Sequence, residues 1–307
     1  MHYRAVLLVL LLSVVWSRSW PLIKYVTFYF GPVSIVVARM AIAGIALCLY
    51  MRLQGKALPW PPRTWLPLLP IAILGTALPY TLVAYGQLRV ASGLSAVLVG
   101  TMPVWTVLLT HFFSSGARAG ERLNLVKLLG AASGLAGIAL LVGPTALGGA
   151  SAALLGELAL IAAALCWAIG TIYTSFVKSV TPDQSATMSA LLASLMLLPV
   201  AGVWELPLAA GIPWQALLAL LCLGLVATAF GTLLMFRIIA QHGPTIVSMV
   251  MYLNPALALC WGALFFGETL ELRHFAAFGL ILGALWLIDR GRRMALARAR
   301  PAAAVAE

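Results

Sequence analysis

The chain has 307 residues, of which 63% are hydrophobic and 9% are charged, and its formal net charge is +11. A soluble globular domain has roughly one charged residue in four, so this composition excludes that class and indicates an integral membrane protein. Nucleic acid is not an expected partner, because most basic residues lie in connectors and at the end of the chain, on one predicted side of the membrane.

Ten apolar segments occur between Val6 and Leu287, and most approach the roughly 20 residues that a helix needs to cross the hydrocarbon core. The predicted spans are 5–23, 32–51, 66–86, 93–113, 125–142, 153–176, 186–204, 215–236, 244–266 and 273–289. Landmarks of the first five recur in the second five about 150 residues later, as Trp16 does in Trp167. Five crossings are an odd number, so the second copy enters the membrane from the opposite side. We therefore expect an all-α integral membrane protein whose ten transmembrane helices form two inverted five-helix repeats.

The two predicted repeats are residues 5–142 and 153–289, and residues 290–307 form a basic tail. If the amino terminus is cytoplasmic, most of the 19 lysines and arginines fall on the cytoplasmic side of the spans, as the positive-inside rule requires. We therefore expect both termini in the cytoplasm. The basic tail is predicted to contact anionic membrane lipid.

Aromatic side chains with hydrogen-bonding groups lie deep in several spans. Trp16 is in span 1, Tyr80 and Tyr85 are in span 3, and Trp167 is in span 6. The polar face of span 1 carries Ser13, Trp16, Trp20 and Lys24. That of span 3 carries Thr76, Tyr80 and Gln87. Aromatic residues at span ends usually anchor the helix at the interface. Deeper rings with polar edges instead predict a binding cavity for a small amphipathic solute.

Arg39 is the strongest candidate for a single site residue, since it lies about 10 Å inside the outer end of span 2 at 1.5 Å per helical residue. Its neighbours in the sequence are apolar. An arginine at this depth needs a carboxylate, backbone carbonyls, water or an anionic group of a substrate. Two interpretations stay open. Arg39 either contacts the substrate or takes part in gating, or it binds a structural partner or extends its side chain to the interface.

Small polar residues form matching stripes in spans 4 and 9. The first includes Ser95 with Thr106 and Thr110, and the second includes Ser248 and Tyr252. These stripes either line a cavity between the repeats or allow close helix packing. A cavity is favoured for Tyr252, whose buried hydroxyl needs a polar partner.

Pro103 and Pro255 occupy matched positions in the middle of spans 4 and 9. A proline inside a helix removes a backbone hydrogen bond and bends the helix. The matched bends are predicted hinges, with static kinks for packing as the alternative.

Glu157, one turn into span 6, is the only acidic residue clearly inside a predicted span. It is a candidate for proton coupling, and the alternative is that it complements the positive end of the helix dipole. The four cysteines lie in apolar spans without Cys-x-x-Cys spacing. No metal, disulfide or cofactor is therefore expected.

Two glycine pairs, Gly130/Gly134 and Gly279/Gly283, recur in spans 5 and 10 with the small-xxx-small spacing. Such pairs let helices approach closely. They predict either packing within the chain or a homodimer through these helices.

The order of motifs in both halves resembles the EamA family of the drug/metabolite transporter superfamily. The first half carries Gly93-Leu94-Ser95-Ala96-Val97-Leu98, Pro103, Phe112-Phe113 and Glu121-Arg122-Leu123, and the second carries Tyr252-Leu253-Asn254-Pro255 and Phe265-Phe266-Gly267-Glu268. The resemblance implies a ten-helix carrier of the bacterial inner membrane with a central cavity between the halves and spans 5 and 10 outside it. One departure is that Ser17 and Arg18 follow Trp16, where the family usually has glycine.

The expected function is secondary transport, namely export of amino acids or similar small metabolites by alternating access. The alternative is a flippase for a lipid-linked sugar or another amphipathic substrate. An integral membrane enzyme is disfavoured, because the sequence has no His-Glu-x-x-His pair, P-loop or cluster of carboxylates.

Overall fold

The computed structural model describes residues 3–58, 62–90, 92–113, 123–142, 154–205, 211–254, 256–257 and 272–304. The α-helices are α1 (Tyr3–Ser17), α2 (Ser19–Val26), α3 (Pro32–Leu53), α4 (Leu78–Arg89), α5 (Ser92–Val99), α6 (Met102–Phe113), α7 (Leu125–Val142), α8 (Leu154–Phe176), α9 (Pro182–Trp204), α10 (Trp214–Cys222), α11 (Gly231–His242), α12 (Pro244–Ser248) and α13 (Leu272–Ala304). Residues 250–254 are also helical. No strand occurs in these described ranges. Pro255 and the predicted loop 143–150 lie outside them.

Within the described ranges, six helical stretches are long and apolar enough to cross a membrane. They are Tyr3–Val26, Pro32–Leu53, Ile71–Arg89, Leu154–Phe176, Pro182–Trp204 and Trp214–His242. They coincide with predicted spans 1, 2, 3, 6, 7 and 8, which confirms an all-helical chain with membrane-length apolar helices. The count of ten helices and the inversion of the repeats stay predictions.

Two of these stretches contain a π-helix, which is Ile71–Ala77 at the start of one and Leu223–Phe230 in the middle of the other. A π-helix has a wider turn than an α-helix, and such segments occur frequently at functional sites. The hydroxyl of Thr228 donates a hydrogen bond to the carbonyl of Leu223, five residues earlier, at 2.7 Å. The two π-helices lie in corresponding spans of the predicted repeats, where the sequence indicated uniform α-helix.

Helices α3 and α9 pack side by side in opposite directions and are joined at both ends. At one end the Glu205 carboxylate, just beyond α9, accepts hydrogen bonds from the backbone N–H groups of Val33 at 2.9 Å and Ser34 at 2.6 Å. These donors belong to the first turn of α3. The N–H groups of a first turn have no hydrogen-bond acceptors within their own helix. At the other end Asp183, in the first turn of α9, binds Lys56 beyond α3. We call these the Glu205 end and the Asp183 end of the bundle.

Helix α13 packs along α7 and is longer than predicted. The predicted span stopped at 289, but the helix continues to Ala304, through the first part of the basic tail. Contacts hold this extension at the Asp183 end: Asn124 donates a hydrogen bond to the Gly291 carbonyl at 2.7 Å, and Arg292 to the His242 carbonyl at 2.8 Å. These residues of the tail are therefore part of the helical bundle.

The predicted glycine pairs differ in their surroundings. A Cβ on Gly130 would lie 2.9 Å from Ile288 of α13, and one on Gly134 would lie 2.5 Å from the ring of Tyr252. Gly130 and Gly134 thus make close contacts within the chain. Among the described residues, no atom lies within 4 Å of a Cβ built on Gly279 or Gly283. A homodimer through these helices stays a prediction.

Candidate functional site

A small cavity lies between α1, α2, α3, α4, α8 and residues 250–254. It contains about 40 Å³ that the centre of a water molecule can occupy, which is room for about three waters. Four predicted site residues line it: Trp16, Arg39, Tyr80 and Trp167. Its other lining residues are Ser19, Trp20, Ile23, Val83, Met251 and Asn254. The walls are mainly aromatic and aliphatic, with a few polar groups, as is usual in small-molecule sites.

Arg39 of α3 provides the cavity's positive charge and is 2% exposed. Its Nε donates a hydrogen bond to the Thr228 hydroxyl at 3.0 Å, and its guanidinium carbon lies 4.4 Å from the centre of the Tyr80 ring. In the described part of the chain, no carboxylate lies within 4.0 Å of its nitrogens. A guanidinium has five N–H donors, so most of them are left for water or a ligand.

Tyr80 and Trp167 extend this arrangement across the cavity. Their rings are edge to face, with centres 5.1 Å apart at 85°. The indole N–H of Trp167 donates to the carbonyl of Gly75, in the first π-helix, at 3.1 Å. A Cβ on Gly170 would lie 2.7 Å from the Gly75 backbone, so glycine at this position allows α8 to approach the π-helix closely. Arg39, Tyr80 and Trp167 therefore form a fixed series of contacting side chains.

Trp16, in the first half of the chain, makes the corresponding hydrogen bond to the second half. Its indole N–H donates to the carbonyl of Ala227, in the second π-helix, at 2.9 Å. Gly231 makes room for this ring, since a Cβ there would lie 2.4 Å from the indole nitrogen. Each tryptophan thus binds a backbone carbonyl of a π-helix in the opposite half of the chain.

Ser19 and Asn254 are polar lining residues beyond those predicted from the sequence. The Ser19 hydroxyl oxygen and Asn254 Oδ1 are buried and have no hydrogen-bond partner among the described residues. Within the described part of the chain, the Asn254 amide nitrogen makes a single long contact, of 3.7 Å with the sulfur of Met251. The available signals were weak: Ser19 lies three residues after Trp16, and Asn254 is an amide in an apolar span. Both atoms are suited to bind a polar group of a ligand.

Two predicted aromatic site residues lie away from the cavity lining. The Tyr85 ring contacts Arg89 near the end of α4, with the guanidinium carbon 4.3 Å from the ring centre. Tyr252 is fully buried, and its hydroxyl donates to the Ala131 carbonyl of α7 at 2.9 Å. The structure thus gives Tyr252 the polar partner that its hydroxyl requires, but in a helix packing contact.

The stripe residues named above are buried, and none of them is among the residues that line the cavity: Ser95, Thr106, Thr110, Ser248 and Tyr252. Ser248 donates to the carbonyl of Thr245 at 2.9 Å, and Thr106 donates to that of Met102 at 2.9 Å. Ser95 is fully buried in α5. Hydrogen bonds to a preceding turn satisfy hydroxyls within their own helix, which favours the packing interpretation for Ser248 and Thr106.

Predicted span 4 is interrupted between α5 and α6, just before Pro103. Helix α5 ends at Val99 and α6 begins at Met102, so Pro103 is in the first turn of α6. A proline there removes no helical hydrogen bond. The Thr101 hydroxyl donates to the Leu98 carbonyl at 2.7 Å and stabilises the break. The hinge role of Pro103 stays a prediction, as does that of Pro255.

Glu157 lies in the first turn of α8 and is half-buried. A carboxylate at this position interacts favourably with the positive end of the helix dipole. The coupling role of Glu157 stays a prediction.

Asp183 is a further buried acid, which lies between the predicted spans 153–176 and 186–204. Its Oδ1 accepts hydrogen bonds from Arg237 Nε at 3.1 Å and Nη2 at 2.9 Å, and its Oδ2 binds Lys56. Arg237 also donates to the Tyr50 hydroxyl at 2.9 Å. Helix α9 begins at Pro182, after a capping box of Thr181 and Gln184. That motif was visible in the sequence and would have placed Asp183 in the helix.

The EamA-like transporter family model matches residues 3–143 and 154–289. The chain belongs to the EamA-like transporter family. The resemblance expected from the motifs is therefore confirmed, and the family model matches the chain twice. Membership identifies the chain as a membrane transporter and not as an enzyme.

Relatives of this EamA transporter carry names of the same kind. It is 28% identical over 274 residues to the uncharacterized transporter YoaV of Bacillus subtilis, covering 89% of this chain and 90% of the relative. It is 27% identical over 287 residues to the uncharacterized inner membrane transporter YedA of Escherichia coli, covering 92% and 89%. One solved crystal structure superposes with a TM-score of 0.78 at 18% identity, covering 96% of this chain and 99% of that one. The superposition shows that the fold is shared.

Proposed function

We propose that this EamA transporter exports a small organic anion or zwitterion, such as an amino acid, across the bacterial inner membrane. The observation that carries the proposal is Arg39, a buried cation in the cavity with no carboxylate partner among the described residues. A buried charge without a counter-ion is costly in a membrane protein and usually marks a substrate or ion pathway. The carboxylate of the solute would supply the missing counter-charge.

The rest of the lining supports a substrate that carries a hydrogen-bond donor and an apolar group. Asn254 Oδ1 lacks a donor among the described residues, and an amino group would supply it. The rings of Trp16 and Trp167 line the cavity. Aromatic faces stabilise both ammonium groups and apolar side chains. A zwitterion satisfies Arg39, Asn254 and the rings together.

Alternating access is the proposed mechanism, with the ten helices arranged as two inverted repeats. The contacts around Asp183 support it, because they join Lys56 and Tyr50 of the first half to Asp183 and Arg237 of the second. Such a cluster would close the Asp183 end while the cavity communicates with the other end. Opening to the Asp183 end would require these ion pairs to separate.

The Asp183 end is the proposed cytoplasmic end. Lys56, Arg237 and Arg292 lie there, and basic residues concentrate on the cytoplasmic side of membrane proteins. The name of the Escherichia coli relative supports the inner membrane as the location. In this orientation both termini are cytoplasmic.

The size of the cavity favours a small solute over a lipid-linked sugar. The cavity has about 40 Å³ for the centres of water molecules, which is little space even for a small metabolite. The cavity must therefore widen during transport. A flippase would in addition need a lateral opening wide enough for a lipid chain.

Untargeted metabolite profiling of the growth medium tests the proposal. Strains would express the wild type, Arg39→Ala or no transporter, with the two proteins at equal membrane levels. We expect one or a few carboxylate-containing solutes to accumulate only with the wild type. Equal accumulation with Arg39→Ala would contradict the role of Arg39, and the absence of any exported carboxylate would contradict the substrate class.

A further inference from the structure

Gln87 has a fully buried side chain whose amide makes no hydrogen bond within the described part of the chain. It is 0% exposed, and neither Nε2 nor Oε1 has a partner. A buried polar group without a partner destabilises the folded state. An unpaired group in a native structure therefore needs an explanation, such as an ordered water or a bound ligand.

Lys24 places a positive charge beside Gln87. It lies in the last turn of α2, and its Nζ donates a hydrogen bond to the backbone carbonyl of Gln87 in α4. An ammonium group has three N–H donors, and no carboxylate among the described residues lies within 4.0 Å of this one. Among the described residues, Lys24 thus has N–H donors to spare and no counter-ion, and the Gln87 amide has no partner, an arrangement that suits a carboxylate.

Both side chains continue the helix faces that line the cavity. Lys24 follows Trp20 by four residues, and Gln87 follows Val83 by four residues. Residues four apart lie on the same side of a helix, and both Trp20 and Val83 line the cavity. Since four residues rise about 6 Å, the Lys24–Gln87 pair lies one turn beyond the cavity, toward the Glu205 end. A solute that leaves the cavity through that end passes the pair.

We propose that Lys24 and Gln87 form an outer anion subsite, which binds the carboxylate of the solute after it leaves Arg39. The inference rests on the proposed function and adds a second binding place to the transport route. The ligand class is a small organic monocarboxylate, because one ammonium and one amide can donate to the two oxygens of a single carboxylate. Gln87 is fully buried in this conformation, so the subsite becomes accessible when the Glu205 end opens.

Gln87 is the residue to substitute. Lys24 donates to a carbonyl in the last turn of α4 and so also stabilises the end of that helix. The Gln87 amide makes no such bond, and Gln87→Met removes it while keeping the volume. If the amide binds only a ligand, the Met variant should be as stable as the wild type or more stable, since an unpaired polar group is lost.

Binding of benzoate, and of its neutral isostere benzamide, to the purified full-length protein in detergent tests the subsite. The readout is the ligand-dependent rise in the thermal unfolding temperature. We expect Gln87→Met to weaken benzoate binding about fivefold, the loss of roughly one hydrogen bond. In an Arg39→Gln background, where the outer subsite binds benzoate alone, Gln87→Met should weaken the remaining benzoate binding by about the same factor. Lys178→Met, an exposed lysine in the connector between α8 and α9, is the matched control and should bind as the wild type.

The outcomes separate this inference from the proposed function. If Arg39→Gln weakens benzoate binding and Gln87→Met does not, the outer subsite is wrong and the proposed function stands. If the wild type binds benzoate no better than benzamide, both are wrong. If Gln87→Met unfolds at a lower temperature without ligand, the amide has a structural partner and the subsite is wrong.

Discussion

Trp167 donates its indole N–H to the carbonyl oxygen of Gly75 at 3.1 Å, and so connects the second half of the chain to the π-helix of the first. Trp16 makes the corresponding bond to Ala227 at 2.9 Å. Both rings line the cavity. The same side chains therefore form the wall of the proposed site and hold the halves together, so any movement that opens the cavity must accommodate these bonds.

Replacing Trp167 with phenylalanine tests the structural part of this relationship. Trp167→Phe keeps an aromatic ring beside Tyr80 but leaves the Gly75 carbonyl without its donor. We expect a loss of about 1–3 kcal/mol in the free energy of unfolding, the cost of an unpaired buried group. Trp204→Phe, at a position 81% exposed at the end of α9, is the control and should have no measurable effect. Equal thermal stability of the two variants would contradict a structural role for the Trp167 bond.

The glycine pairs give a second matched comparison. A Cβ at residue 134 would lie 2.5 Å from Tyr252 Cζ, whereas the described residues leave open space at residue 283. Gly134→Ala should therefore displace the Tyr252 ring and destabilise the protein by about 1–3 kcal/mol. Gly283→Ala should be neutral or slightly stabilising, because alanine favours helix over glycine. Thermal unfolding in detergent measures both, and a larger loss for Gly283→Ala would refute the packing described.

The sequence predicts the helical membrane architecture and several residues that the structure brings together. Arg39, Tyr80 and Trp167 stand out because large polar side chains are rare inside apolar spans. The same logic selected Tyr252, whose partner is instead a backbone carbonyl of α7. Backbone acceptors carry no mark in the sequence, so composition cannot separate a cavity residue from one that packs between helices.

Local geometry accounts for most of the other differences between the structure and the predictions from the sequence. The two π-helices are hidden in uninterrupted apolar runs, since hydrophobicity does not reveal an extra residue in one turn. Ser19 was overlooked because small hydroxyl residues are common in membrane helices and usually bind their own backbone. Asp183 was placed outside its helix although its capping box was visible. Only the last of these could have been corrected from the sequence.

Asp183 should control how often its end of the bundle opens. Asp183→Asn removes the carboxylate that pairs with Lys56 and Arg237, whose side chains are 46% and 40% exposed. Partly exposed ion pairs contribute about 0.5–1 kcal/mol each, so the loss of two should make opening about five- to thirtyfold more frequent. The measurement is the reaction rate of a buried probe, Ser185→Cys, with a membrane-impermeant maleimide, in protein without its four native cysteines. Asp289→Asn, which removes an ion pair on α13, is the control. An unchanged rate with Asp183→Asn would mean that the cluster does not close this end.

Topology provides a test of the inverted repeats. Most basic residues lie on one predicted side, and the predicted span count is even, so both termini are expected in the cytoplasm. A reporter fused after Arg300 should behave as cytoplasmic, and one inserted between Gly143 and Ala150 should behave as periplasmic. Periplasmic activity of the reporter after Arg300 would contradict the inverted arrangement.

Arg39→Lys tests the central claim that Arg39 binds the anionic group of the solute. Arginine can lie over the Tyr80 ring, donate to Thr228 and still present a planar pair of N–H groups to a carboxylate, whereas lysine carries a single compact ammonium. The measurement is the initial rate of export of the solute found by metabolite profiling, per amount of folded protein in the membrane. Arg52→Lys, exposed at the end of the same helix, is the control. We expect Arg39→Lys to give normal amounts of folded protein in the membrane. Its export rate should fall about tenfold or more, because roughly one charge-assisted hydrogen bond to the solute is lost. Full export by Arg39→Lys or Arg39→Ala would contradict the claim that Arg39 binds the solute.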